Sequence, residues 1–502
     1  MGWVAYGPGT VDDDGAAPPD EDERLRLADV GKLARLARRQ IVGVARAEDR
    51  VTFARLIREH LGGDASTLDV VEETWPSYEH VNVQVGLDAW LAAPGRSHDL
   101  VGVTNFRHRD FDLAELMRSS RPALYEGIAP GNVARLNLPT GPDGEVRACV
   151  VCAVYLVTEG ERRAVLLLRL GESDMGSSAS RLEIAAEDPA YAASVAVQVR
   201  AAALEHNVYR RQVISFGGGD MFGERQTILS FHRRPSMSLD DLILPAPTVE
   251  AISRQVVGVA HHRAQLLAAG QHLKRGLLLY GPPGVGKTHT VRYLMSELTG
   301  TTIVLLAGNT LGMIGAACSV ARTLQPAMIV IEDVDLIAEE RGRYGGEHPL
   351  LFQLLNEMDG LAEDADVVFL LTTNRADVLE PALAQRPGRV DQAVAMELPD
   401  ADGRRRLFAL YRGGLDVEET GLDAVIERTD GVTASFLKEL LRRAAVRAAE
   451  GEPATGPGAG PGGLRVSAAQ LEAALDELLD TRNAMTRVLL GGHRAEGPGL
   501  EA

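Results

Sequence analysis

The sequence predicts an α/β protein: an open parallel sheet with helices on both faces over 238–398, then a small helical domain over 399–485, with an α+β domain ahead of both over 24–237. Three observations predict it. The buried-strand pattern "GLLLYG" runs into "GPPGVGKT" (281–288), and "THTVRYLMSEL" follows with Val291, Leu294, Met295 and Leu298 on one side of a helix. Two further apolar runs, "PAMIVIED" and "VVFLLTTN", continue an alternation of strand and helix patterns such as a doubly covered parallel sheet requires. After 400 the spacing becomes helical, interrupted at 451–463 by "GEPATGPGAGPGG", whose glycines and prolines mark a loop.

The amino-terminal part reads differently. Residues 1–23 carry "VDDDGAAPPDEDE", an acidic, proline-bearing tail with little to bury, so disorder is expected there and in the tail 486–502. From "RLADVGKLARLARRQIVGVARAEDRVTFARLIREHLG" onward the spacing is helical. Between about 75 and 230, "RACVVCAVYLVTEGERRAVLLLRL" predicts two strands around a Glu-Gly turn, and "PAYAASVAVQVRAAALEHN" predicts a helix. This region holds no catalytic constellation, and a domain for recognition or assembly is expected.

Composition narrows the function classes. A length of 502 residues allows two or three domains, and 52 basic against 70 acidic residues gives a net charge of −18, which argues against a nucleic-acid backbone as the main partner. No leader pattern and no apolar run long enough to cross a bilayer is read, so a cytoplasmic protein without a membrane partner is expected. Cys149 and Cys152 form a C-x-x-C, but within a strand positions three apart point to opposite faces and no second Cys or His pair lies nearby. They read as small buried hydrophobes, and Cys318 has no partner either.

Chemistry is carried by three strand ends. Gly281, Pro282, Pro283, Gly284, Val285, Gly286, Lys287 and Thr288 match G-x-x-x-x-G-K-[ST], the phosphate-binding loop, with His289 next in the following helix. Glycines let successive N–H groups point inward at an anion, and the helix start adds its positive end. Lys287 is one of four lysines in a chain otherwise reliant on arginine, and a compact ammonium enters such a loop where a planar guanidinium does not fit. Thr288 is the expected ligand of Mg²⁺. At the end of "PAMIVIED", Glu332 and Asp333 offer one carboxylate to hold Mg²⁺ through its water shell and one to polarise an attacking water. At the end of "VVFLLTTN", Thr373 is followed by Asn374, an amide able to orient that water.

Taken together, "GPPGVGKT", "MIVIED" and "TTNRADVLEPALAQRPGRVD" resemble the Walker A motif, the Walker B motif and the second region of homology of the AAA ATPases; "LLNEMDGL" and "LDDLILPAPTVEAISRQV" also fit. The resemblance covers roughly 238–482 and implies an AAA+ ATPase core with a helical lid, ATP and Mg²⁺ as cofactors, and a homo-oligomeric ring, a hexamer, with ATP between neighbours. It implies site residues 281–289 around ATP, Thr288 and Glu332 at the metal, and Glu332, Asp333, Asn374, Arg386 and Arg389 as the catalytic set, the two arginines reaching into the next subunit's site. Thr433 and Ala434 stand where the lid approaches the nucleotide. Two departures stand out: relatives read Asp then Glu where Glu332 precedes Asp333, and the segment around Leu311, Gly312 and Met313 lacks the aromatic-Gly pair of polypeptide-threading relatives. The expected function is an ATP-hydrolysing ring that remodels an unknown protein substrate chosen by the amino-terminal domain. The alternative is a nucleotide-gated scaffold with slow turnover. A zinc protease is not expected, because none of the twelve histidines has another four residues away, as H-E-x-x-H requires.

Overall fold

Strands that are apolar over most of their length must be covered on both faces, and each of this chain's two sheets has such strands at its centre. The computed structural model describes residues 52–107, 110–118, 127–172, 178–217, 229–335, 349–375, 390–451 and 464–480. The tails 1–23 and 486–502, nearly all of the 451–463 loop, and Arg386 and Arg389 lie outside the described residues.

The amino-terminal strands are β1 (Val70–Pro76), β2 (Arg96–Val103), β3 (Pro130–Gly131), β4 (Ala134–Pro139), β5 (Val146–Glu159), β6 (Arg162–Glu172) and β7 (Ser178–Ala186). They form an antiparallel sheet in the order β1-β7-β6-β5-β2-β3, with β4 also paired to β5. β5 and β6 are the hairpin predicted around the Glu-Gly turn. The predicted helix is Pro189–Glu205; Asp188 caps it by accepting from the Ala190 amide, with proline at its first position. That helix and His80–Leu91 cover one face of the sheet through Val83, Leu87, Trp90, Val195 and Val199. Helices Phe53–Leu61 and Leu113–Arg118 cover the other with Ile57, Leu113 and Leu116. Cys149 and Cys152 are both buried and belong to different apolar clusters, as strand geometry requires. Burial pushes their thiols up to about 11 and about 12, out of the reactive range.

The second sheet contains β8 (Val213–Phe216), β9 (Leu229–His232), β10 (Arg275–Tyr280), β11 (Thr302–Leu306), β12 (Ala327–Ile331), β13 (Val367–Thr373) and β14 (Gln392–Ala395), in the order β14-β10-β13-β12-β11-β8-β9. β10, β11, β12, β13, β14 and β8 run parallel, and β9 closes the edge antiparallel to β8. Successive residues along β12 and β13 alternate between two cores, Ile329 and Phe369 on one face and Met328 and Val368 on the other. This sheet begins at Val213, ahead of the boundary expected at 238. The four residues "VISF" are too short to show a period, and their role comes from β11, whose outer edge they pair.

The two parts share a core. Tyr78, Leu138, Cys149 and Tyr209 from the amino-terminal side join Leu311, Ile314 and Ala317 of the parallel-sheet side in one apolar cluster, and the Tyr209 hydroxyl donates to the Tyr78 carbonyl. Beyond the sheet, helices Ala401–Arg412, Leu422–Arg428, Ala434–Gly451 and Ala468–Leu479 enclose a core of their own around Phe436, Leu440 and Leu475.

His80 gives this fold a pH signature. It is wholly buried, with Nδ1 2.7 Å from Ser180 Oγ and Nε2 2.8 Å from the Val150 carbonyl, an arrangement that suits the neutral ring. Burial lowers its pKa from 6.5 to about 4. Between those values the unfolded chain takes up a proton that the folded chain refuses, so stability falls as pH drops through that window, by about 3 kcal/mol from this group. Glu79 and Glu183, whose carboxyls burial pushes upward, act with the opposite sign in acid. Chemical denaturation of wild type and His80→Gln across pH 4 to 7 isolates the histidine: the loss on acidification is expected to be shallower in the variant, and parallel curves would contradict the assignment.

Candidate functional site

The site lies where three adjacent parallel strands end. β10 lies between β14 and β13, and β13 pairs β12, so Gly281, Glu332 and Asn374, each just beyond its strand, emerge at the same edge of the sheet. In open α/β sheets the crevice outside the carboxyl ends of the strands is where ligands bind.

The loop 281–286 bends tightly between β10 and the helix Lys287–Glu297. Gly281 has φ 150, and a Cβ there would stand 2.3 Å from the Met396 carbonyl oxygen, which no side chain tolerates. Gly284 has φ 84 and lies under the lid: a Cβ would meet Ser435 Oγ at 2.9 Å, and the Ser435 amide donates to the Gly284 carbonyl at 3.3 Å. Val285 is buried in the apolar cluster beneath, anchoring the loop. Pro283 and Thr288 are exposed, with Thr288 in the first turn of the helix. Burial, then the charges of Arg292 and Lys438, hold the half-buried His289 below its ordinary pKa, opposed by a hydrogen bond to the Asp241 backbone.

Lys287 is buried, and its Nζ donates to the carbonyls of Gly281 (2.7 Å) and Pro282 (2.9 Å) and to Asn374 Oδ1 (2.8 Å). Burial lowers its pKa, while the charges of Asp333 and Asp335 oppose that shift and favour the ammonium. Asn374 Nδ2 in turn donates to Asp333 Oδ1 at 3.1 Å. One amide therefore links the loop lysine to the second acid, uniting residues from all three strand ends.

The two acids differ in their surroundings. Asp333 has φ 52, a left-handed conformation that Asp tolerates better than most residues, and its amide donates to Thr372 Oγ1 at 3.1 Å. This turn just after β12 breaks strand alternation and carries the exposed Asp333 carboxylate to Asn374. Glu332 donates its amide to the Leu306 carbonyl (3.0 Å), and its Oε1 is buried with no hydrogen-bond partner among the described residues. A buried carboxylate oxygen without a donor among the described residues suits a cation, so Glu332 fits a ligand of Mg²⁺, and the glycine-lined loop with its lysine fits a phosphate.

Of the predicted residues, 281–289, Glu332, Asp333 and Asn374 are thus brought to one edge, whereas Arg386 and Arg389 fall outside the described residues. Sequence reasoning missed Asp335, which is buried and accepts from Thr373 Oγ1 at 2.9 Å and the Asn374 amide at 3.3 Å. Its signal was a third acid in "EDVD". On the lid, Thr433 and Ser435 face Gly284, whereas Ala434 is buried in the lid core. Among the described residues no group of three or more His, Cys, Asp and Glu side chains is placed to hold a metal, and no helix is long and apolar enough to cross a membrane.

Comparison with known proteins gives the following. Residues 277–398 match the family described as "ATPase family associated with various cellular activities (AAA)". The ATP-dependent zinc metalloprotease FtsH 3 of Symbiobacterium thermophilum is 32% identical over 243 residues, 45% of this chain and 38% of that protein. The ATP-dependent zinc metalloprotease FtsH of Thermus thermophilus is 34% identical over 210 residues, 39% of this chain and 34% of that protein. The chain thus spans little more than a third of the length of these relatives. A solved structure described as "Structural Basis for Katanin Self-Assembly" covers 48% of this chain and 84% of its own, at 24% identity and a TM-score of 0.39.

Proposed function

Since the chain belongs to the AAA family of ATPases through residues 277–398, we propose that it binds ATP with Mg²⁺ at the end of the parallel sheet and hydrolyses it to ADP and phosphate. The observation that carries this reading is the hydrogen-bonded line Lys287–Asn374–Asp333, which puts a phosphate-binding cation, a water-orienting amide and a carboxylate in one chain of contacts. The loop amides of 284–288 and the Lys287 ammonium cradle the phosphates, Thr288 and Glu332 would hold the cation, and Asp333 takes up the proton of the attacking water. Bound Mg²⁺ supplies charge neutralisation at the phosphates.

The working form is a homo-oligomeric ring, a hexamer, in which Arg386 and Arg389 complete the neighbour's site, and the amino-terminal domain selects a protein to be remodelled. The core shared by Tyr78, Tyr209 and Ile314 supports mechanical coupling of that domain to the ATPase sheet. The protease activity named for the relatives is not carried over. One observation favours a slower, scaffold-like cycle: the acid bonded to Asn374 is the shorter Asp333, not a Glu.

The test is phosphate release from ATP by the purified chain, with Mg²⁺ and with the metal chelated. Mg²⁺-dependent turnover is the expected result. Tight ATP binding without turnover would replace the enzyme by the scaffold, and absence of both would remove the reading.

A further inference from the structure

Asp335 is well placed to govern the site without touching a ligand. Its carboxylate is buried behind the strand ends, where Oδ1 accepts from the Thr373 hydroxyl at 2.9 Å and from the Asn374 amide at 3.3 Å. The same Thr373 hydroxyl accepts from the Arg375 backbone amide at 2.9 Å, so three successive residues at the end of β13 are gathered on one acid and one hydroxyl. This is the point where the chain leaves the sheet and where the Asn374 side chain must lie between Lys287 and Asp333.

We propose that Asp335 is a positioning residue that fixes the end of β13, so that the Asn374 amide holds Lys287 and Asp333 in line, and that it does so as a hydrogen-bond acceptor. This rests on the ATPase reading above. Two alternatives set the contrast: an acid whose charge is the operative feature, and an acid that only stabilises the fold. An asparagine in its place keeps an acceptor oxygen for Thr373 and for the Asn374 amide while losing the charge, whereas alanine loses both.

The experiment combines kinetics with a readout that needs no nucleotide. Asp335→Ala is expected to lower kcat about 10²-fold, the scale of a misplaced reacting group, while ATP affinity stays within about threefold of wild type. Asp335→Asn is expected to recover kcat to within about threefold of wild type. Thr373→Val removes the shared hydroxyl, so Asp335→Ala/Thr373→Val should be no slower than Asp335→Ala alone, the coupling expected of residues acting through one contact. In nucleotide-free protein, amide exchange over 372–375 should be faster in Asp335→Ala and near wild type in Asp335→Asn. Overturning results are an unchanged kcat in Asp335→Ala, an Asp335→Asn as slow as Asp335→Ala, or multiplicative effects in the double variant. Should wild type itself show no turnover, the ATPase reading fails, and the exchange measurement alone decides the positioning claim.

Discussion

Asp333→Asn is expected to bind ATP about as tightly as wild type and to release phosphate at least about 10²-fold more slowly, the usual contribution of a positioned general base. The variant keeps the acceptor oxygen that meets Asn374 Nδ2, so the line from Lys287 through Asn374 stays in place and ATP binding has no reason to weaken. What it loses is the ability to take a proton from water. Glu332 provides the internal comparison: its Oε1 is buried without a donor among the described residues, which suits a cation ligand, whereas Asp333 is exposed and bonded to the Asn374 side-chain amide. Glu332→Gln is therefore expected to weaken Mg²⁺ dependence as well as rate. Equilibrium binding of labelled ATP and single-turnover phosphate release measure both properties. Persisting turnover in Asp333→Asn, together with its loss in Glu332→Gln at intact binding, would reverse the two roles.

What the sequence made legible follows the range of each physical signal. "GPPGVGKT" was readable because its glycines, lysine and threonine sit at fixed spacing in a contiguous loop, and β10, β12 and β13 were readable because strands covered on both faces are apolar throughout. β8 was not, since four residues carry no period and its place in the sheet depends on β11, some ninety residues later. Asp335 was hidden for a related reason. One acid in "EDVD" looks like another until Thr373 and Asn374, nearly forty residues on, are folded against it. The left-handed turn at Asp333 has no composition signal either, yet it brings the shorter acid to the amide. On the lid, Thr433 was foreseen near the nucleotide loop, but helix phase put Ser435 rather than Ala434 beside Gly284.

Phosphate binding by Lys287 is the proposal on which the ATPase reading depends most directly. Its ammonium is held by the Gly281 and Pro282 carbonyls and by Asn374, and removing it takes away the cation expected to meet the phosphates from within the subunit. Charge-assisted hydrogen bonds contribute roughly 1.5–3 kcal/mol each, so losing two of them to a phosphate weakens binding by about 10² to 10⁴-fold. The helix that carries Lys287 stays anchored by Val291, Leu294 and Met295, so the protein should still fold, which a thermal melt checks. The decisive measurement is equilibrium ATP binding by folded Lys287→Ala beside wild type. Affinity is expected to fall by at least about 10²-fold; unchanged affinity in the folded variant would contradict the phosphate-binding role proposed for Lys287.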